Sequence, residues 1–157
     1  GLLDALALLA PERRPLTVLP GYATPHEAQL RARSEELGLT ADVRFLEWLP
    51  EEDVEGLFAE AAAAVHPSLY EGFGLPVLEA MARGVPVACS ARASLPEVAG
   101  DAAILFDPSD PPSIAAALER VLADDGTLRR AGIRRAAHFS WRRAAELTAV
   151  TYERALR

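Results

Sequence analysis

The stretch His66-Pro67-Ser68-Leu69-Tyr70-Glu71-Gly72-Phe73-Gly74-Leu75-Pro76-Val77-Leu78-Glu79-Ala80-Met81 decides the fold. Its apolar lead-in, Ala62 to His66, reads as a short buried strand. Pro67 to Gly74 is a loop, and Pro76 to Arg83 reads as a helix, stopped by Gly84 and Pro86. In the loop, Gly72 and Gly74 allow unusual dihedrals and close approach of the backbone to a ligand. Pro76 suits the first helical position, where its missing N–H costs nothing. The free amides of Gly74, Leu75 and Val77 are then expected to point into the loop as an anion site of the size of a diphosphate.

Two carboxylates flank that loop. Glu71 precedes the glycines, and Glu79 lies one turn into the helix, at the edge of an apolar stripe of Val77, Leu78, Met81 and Ala82. A carboxylate beside an anion site makes chemical sense when it accepts hydrogen bonds from hydroxyls. One carboxylate per sugar ring is the natural arrangement, with Glu71 on a hexose and Glu79 on a ribose. Plainer readings are also open: Glu79 and Arg83 as an i, i+4 surface pair, and Glu71 as a solvated loop residue. His66, at a strand end, reads as a packed residue and Cys89 as a core thiol. Trp48 either shapes a ligand loop or fills the domain edge.

Outward from this segment, short apolar runs alternate with amphipathic ones. Further strands are expected at Leu16 to Leu19, at Val43 to Leu46, from Val87 and at Ala103 to Phe106. Helices are expected at Leu2 to Leu9, Pro25 to Leu37 with Thr24 as cap, from near Pro50, from Pro112, from Thr127 and from Ser140. Such alternation implies a doubly wound α/β domain with a parallel, Rossmann-like sheet covered on both faces. Ligands in such folds sit beyond the carboxyl ends of strands, which puts the loops after Leu19, Leu46, His66 and Cys89 on one edge.

Composition narrows the function classes. The chain has 157 residues, half of them apolar, and a net charge of −7. That suits one packed domain and disfavours nucleic acid as a partner. Its 16 cationic side chains are all arginine. The arginine-rich tail, from Arg129 to Arg143, reads as a solvated helix face rather than a membrane or partner patch. A single cysteine excludes an internal disulfide and fits a reducing compartment, and three scattered histidines do not make a zinc site. No run of about 18 apolar residues would span a membrane, and no secretory leader is evident.

The run HPSLYEGFGLPVLEAMARGVPV, His66 to Val87, resembles the Glu-x7-Glu signature of family 4 retaining glycosyltransferases of the GT-B fold. Val43 to Leu46 with Trp48-Leu49-Pro50, Ser94-Leu95-Pro96-Glu97-Val98 and Phe139-Ser140-Trp141 resemble accompanying segments in the family's order. The resemblance implies the C-terminal, donor-binding half of such an enzyme, residues 1–157 forming one domain without the N-terminal acceptor domain. It implies that Glu71 contacts the donor hexose, with the amides of Phe73, Gly74 and Leu75 near sugar and diphosphate. Glu79 would bind the ribose, the backbone at Leu46, Glu47, Trp48 and Leu49 would hold the base, and Gly21 would lie near the diphosphate. A UDP- or GDP-linked hexose, mannose included, is the implied donor, with no metal or other cofactor. The enzyme would be cytoplasmic, with any contact to the inner membrane face made through the missing half, and this fragment alone would be inactive.

The chain departs from the family in three loops. Pro20-Gly21-Tyr22-Ala23 stands where Gly-x-Gly is usual, Glu47 where glycine is common, and Ser94 where glycine is frequent. The Arg and Lys that neutralise the diphosphate in the family would precede Gly1. Two alternatives stay open: a non-catalytic nucleotide-sugar-binding module, and a nucleotide-sugar epimerase-like enzyme on the same architecture. The Glu-x7-Glu spacing speaks against the latter.

Overall fold

The computed structural model describes residues 1–22 and 24–157, so Ala23 of the first loop lies outside the described residues. The elements alternate nearly as the sequence predicts. They are α1 (Leu2–Leu8), β1 (Thr17–Pro20), α2 (Pro25–Glu36), β2 (Val43–Leu46), α3 (Glu51–Glu60), β3 (Ala64–His66) and α4 (Leu75–Ala82). These are followed by β4 (Val87–Ser90), α5 (Leu95–Ala99), β5 (Ile104–Phe106), α6 (Pro111–Leu122), α7 (Thr127–Ala136) and α8 (Trp141–Ala155). The predicted cap at Thr24 is in place, and Ser140 caps the last helix. Thr24 accepts from the Glu27 amide at 3.3 Å and Ser140 from the Arg143 amide at 3.2 Å.

All strand pairs are parallel, but the sheet is not one continuous ladder. β1 pairs with β2, and β3, β4 and β5 form a second piece in that order. Side-chain packing joins the pieces instead. Leu19 and Phe45 from the first, and Val65, Ala88, Ile104 and Phe106 from the second, share one apolar cluster with α1 and α6. The opposite face is a second cluster, in which Val77 and Met81 of α4 and Leu95 and Val98 of α5 pack on Val87 and Cys89. Period-2 alternation along β4 explains the split, since Ala88 faces one cluster and its neighbours the other. Leu30 of α2 packs against the first cluster, whereas α4 belongs to the second, so the two crossovers lie on opposite faces. With right-handed crossovers the strand order then runs outward in opposite directions from a switch point between the two pieces.

α8 stands apart, with no buried residue and with Trp141, Leu147, Val150 and Tyr152 exposed. Among the described residues no helix is long and apolar enough to cross a membrane.

Candidate active site: the glycine loop between β3 and α4

β3 delivers His66 to the carboxyl edge of the sheet, in register with Cys89 of β4. The loop that follows is held from several sides. Gly74 has φ +103°, and a methyl group at its Cα would lie 2.5 Å from Leu95 Cδ2. Only glycine fits both the left-handed backbone and the contact with α5. Gly72 differs: its φ is not in the left-handed region and a Cβ there would meet nothing within 4 Å. The unusual dihedral expected at both glycines is therefore confined to Gly74, and Gly72 leaves open space beside the loop.

The helix begins at Leu75, one residue before the expected Pro76. Proline still costs nothing there, because the second helical N–H has no intrahelical acceptor either. Val77 is a correction: its amide donates to the Gly74 carbonyl at 3.1 Å and is not free. Among the described residues, no group accepts from the amides of Phe73, Gly74 or Leu75. The unpaired donors thus sit one residue earlier than the glycine and proline pattern indicated. The buried face of α4 is Val77, Leu78, Ala80 and Met81, with Ala82 exposed. Ala80 replaces Ala82 because the helix is clamped on two sides, by the sheet and by α7. Gly132 of α7 comes so close that a Cβ there would lie 3.2 Å from Met81 Cγ.

Ser94, which stands where the family frequently has glycine, braces the loop. Its hydroxyl lies 2.9 Å from the carbonyls of both Glu71 and Phe73, a single proton shared between two acceptors. The turn presenting it contains Ala93 at φ +52°, in the left-handed region. Phe73 packs edge-on against Phe139, centroids 6.0 Å apart, and the Arg135 guanidinium lies over Phe139 at 5.0 Å. Arg135 also donates to the Val98 carbonyl at 2.9 Å at the end of α5. It is the exception among the tail arginines, most of which line an exposed helix face as expected. The bracing roles of Ser94 and Phe139 depend on three-dimensional proximity and leave no local signal in the sequence.

Glu71 is half-buried. Its Oε1 accepts from the Ser68 hydroxyl at 2.8 Å and lies 2.9 Å from His66 Nε2. A carboxylate only accepts, so this contact places the His66 proton on Nε2. The Ser68 and His66 hydrogen bonds, with the nearby imidazole, outweigh burial and hold the Glu71 carboxyl below its ordinary range. Glu71 is therefore an ionised acceptor at neutral pH and not a bare solvated residue.

Glu79 is exposed on α4. The plain surface pair with Arg83 does not form. Arg83 instead pairs with Glu55 of α3, Nε to Oε2 at 2.8 Å, and touches only the backbone carbonyl of Glu79. Among the described residues no side chain engages the Glu79 carboxylate. Burial pushes the Cys89 thiol up to about 11, which suits an inert core residue.

The remaining predicted residues fall in two loops on the same edge. The Gly21 amide donates to the Leu46 carbonyl at 3.1 Å, extending the β1–β2 ladder and joining these two positions. Beyond Leu46, among the described residues, no backbone acceptor takes the amides of Glu47, Trp48 or Leu49. Trp48 is 59% exposed, so it does not fill the domain edge. Among the described residues no three His, Cys, Asp or Glu side chains gather as a metal site would require.

A parallel α/β domain with a braced glycine loop opening a helix, flanked by carboxylates, defines a class: the C-terminal domain of GT-B glycosyltransferases. The chain belongs to the family described as Glycosyl transferases group 1, whose model matches residues 1–138. It is 42% identical over 159 aligned residues to O-antigen chain mannosyltransferase B of Escherichia coli, covering 98% of this chain and 42% of that one. Sucrose-phosphate synthase of Thermosynechococcus elongatus superposes with a TM-score of 0.84 at 28% identity, over 99% of this chain and 41% of the synthase. HepE of Anabaena, solved with UDP and glucose, superposes at 0.83 with 25% identity, over 97% and 43% of the two chains. The chain thus spans about two fifths of the length of these relatives.

Proposed function

We propose that this chain is the donor-binding domain of a retaining glycosyltransferase that moves a hexose from a nucleoside diphosphate to an acceptor hydroxyl. The observation that carries the reading is one loop that offers unpaired amides at Phe73, Gly74 and Leu75 next to an ionised Glu71. The amides, at the positive end of α4, would take the diphosphate, whose charge grows as the C1–O bond to the sugar breaks. Glu71 would accept from a hexose hydroxyl and hold the ring for attack from the same face, with the acceptor proton passing to the departing diphosphate. The unpartnered Glu79 carboxylate would take the ribose hydroxyls. The amides of residues 47 to 49 would meet the base, with Gly21 opposite. No step in this scheme calls on a metal or other cofactor. A braced, ionised Glu71 favours a transferase over a non-catalytic module, which would need no such preorganisation.

The relatives' names support a nucleotide-sugar donor with mannose or glucose as the hexose. The acceptor site would belong to a separate N-terminal domain, and so would cations facing the diphosphate. A reducing, cytoplasmic setting suits the unpaired, buried Cys89. On this reading residues 1–157 alone bind nucleotide weakly and transfer nothing, because positioning the acceptor and excluding water are worth up to about 7–11 kcal/mol. The test is to assay the isolated chain and the full-length protein in parallel with UDP-glucose and GDP-mannose. Transfer by the full-length protein and none by the fragment is expected. Robust transfer by the fragment would refute the division of labour.

A further inference from the structure

We propose that His66 is a positioning residue that, with Ser68, clamps one oxygen of Glu71 and so presents the other to the donor sugar. This rests on the reading of Glu71 as the sugar-binding carboxylate. Both contacts converge on Oε1, from Ser68 Oγ at 2.8 Å and His66 Nε2 at 2.9 Å, and among the described residues Oε2 has no partner. The Ser68 hydroxyl is itself 3.3 Å from His66 Nε2, so the three groups close a small ring. One corner of that ring is anchored. His66 is the last residue of β3, fixed by its parallel ladder to β4, so its imidazole carries the order of the sheet into the loop.

A glutamate on a glycine loop has three side-chain torsions to settle before it can bind a ligand. Fixing Oε1 to the sheet removes much of that freedom in advance and leaves a single aimed acceptor. The backbone of the same residue is fixed separately, through Ser94 and the Glu71 carbonyl. The clamp and the brace therefore act on different atoms. Loss of the clamp should release the carboxylate while leaving the loop in place.

This separation gives the test. In the full-length protein, free UDP and GDP and the donors UDP-glucose and GDP-mannose are titrated by calorimetry into wild type, His66→Leu, His66→Gln, Ser68→Ala and Glu71→Gln. The quantity read is the ratio of the dissociation constants for sugar donor and free nucleotide. His66→Leu is expected to shift that ratio against the donor by about tenfold, the loss of one hydrogen bond to a charged group. Free nucleotide should stay within about twofold of wild type. Ser68→Ala should shift the ratio in the same direction. His66→Gln, which keeps a donor near the Nε2 position, should recover most of the loss. A His66→Leu protein with an unchanged ratio overturns the proposal. So does one in which donor and nucleotide weaken together without rescue by glutamine, since that marks a merely structural residue. If Glu71→Gln itself leaves the ratio unchanged, the assignment of Glu71 to the sugar fails, and the clamp fails with it.

Discussion

The loop after β3 and the loop after β2 end at the same edge of the fold, yet they are built differently. The first is tied by Ser94 to two of its carbonyls, by His66 and Ser68 to its carboxylate, by Phe139 to its aromatic ring and by Leu95 to Gly74. The second, residues 47 to 50, has no comparable side-chain brace among the described residues, and its one large side chain, Trp48, is exposed. On the proposed function, the braced loop would face the diphosphate, which nucleotide-diphosphate sugars share, and the sugar being transferred. The unbraced loop would face the base. Rigidity placed where charge develops, and adaptability placed where the ligand varies, is what electrostatic preorganisation calls for.

The largest expected break in this contrast is Gly74→Ala. A methyl group 2.5 Å from Leu95, on a backbone at φ +103°, should cost about 3 kcal/mol of stability, read by urea denaturation, and abolish nucleotide binding. Trp48→Ala should change stability by less than about 0.5 kcal/mol while altering the preference between UDP and GDP. A large loss of stability in Trp48→Ala would erase the distinction between the loops. An effect on stability between these two is expected from Ser94→Ala. Removing the brace leaves two carbonyls to water and should cost about 1–2 kcal/mol, with the donor weakened more than the free nucleotide.

Much of this contrast is visible in the sequence, and the missing parts have a physical reason. Gly-x-Gly followed by Leu-Pro marks a loop turning into a helix because dihedral freedom and a missing N–H are local properties. The register of that turn is not local. Which amides stay unpaired depends on Val77 folding back on Gly74, and which face of α4 is buried depends on α7 coming close at Gly132. Ser94 reads as a departure from the family pattern, yet in three dimensions it holds the loop, since its partners lie more than twenty residues away along the chain. The sheet's division into two pieces is likewise invisible to periodicity, which reports the face a strand buries but not its neighbour.

The clamp on Glu71 also sets a pH dependence. Its folded-state pKa lies below the ordinary value because the hydrogen bonds from Ser68 and His66 favour the carboxylate and outweigh burial. The stability this contributes is fully present above the unfolded pKa and is lost as pH falls through the folded one. Donor binding should therefore persist to lower pH than an unperturbed glutamate would allow. In Ser68→Ala the acid limb should move upward, towards the ordinary range near 4.5. An acid limb that does not move in titrations between pH 3 and 6 would show that Glu71 does not govern it.

The division of hydroxyls between the two carboxylates is the central claim, and calorimetry on the full-length protein reaches it most directly. Glu71→Ala and Glu79→Ala are each titrated with the free nucleoside diphosphate and with the matching sugar donor. Glu71→Ala should leave the free nucleotide within about twofold of wild type and weaken only the donor. Glu79→Ala should weaken both by about ten- to a hundredfold, the loss of hydrogen bonds to a charged group. Equal losses in the two variants for both ligands would contradict the assignment of Glu71 to the hexose and Glu79 to the ribose.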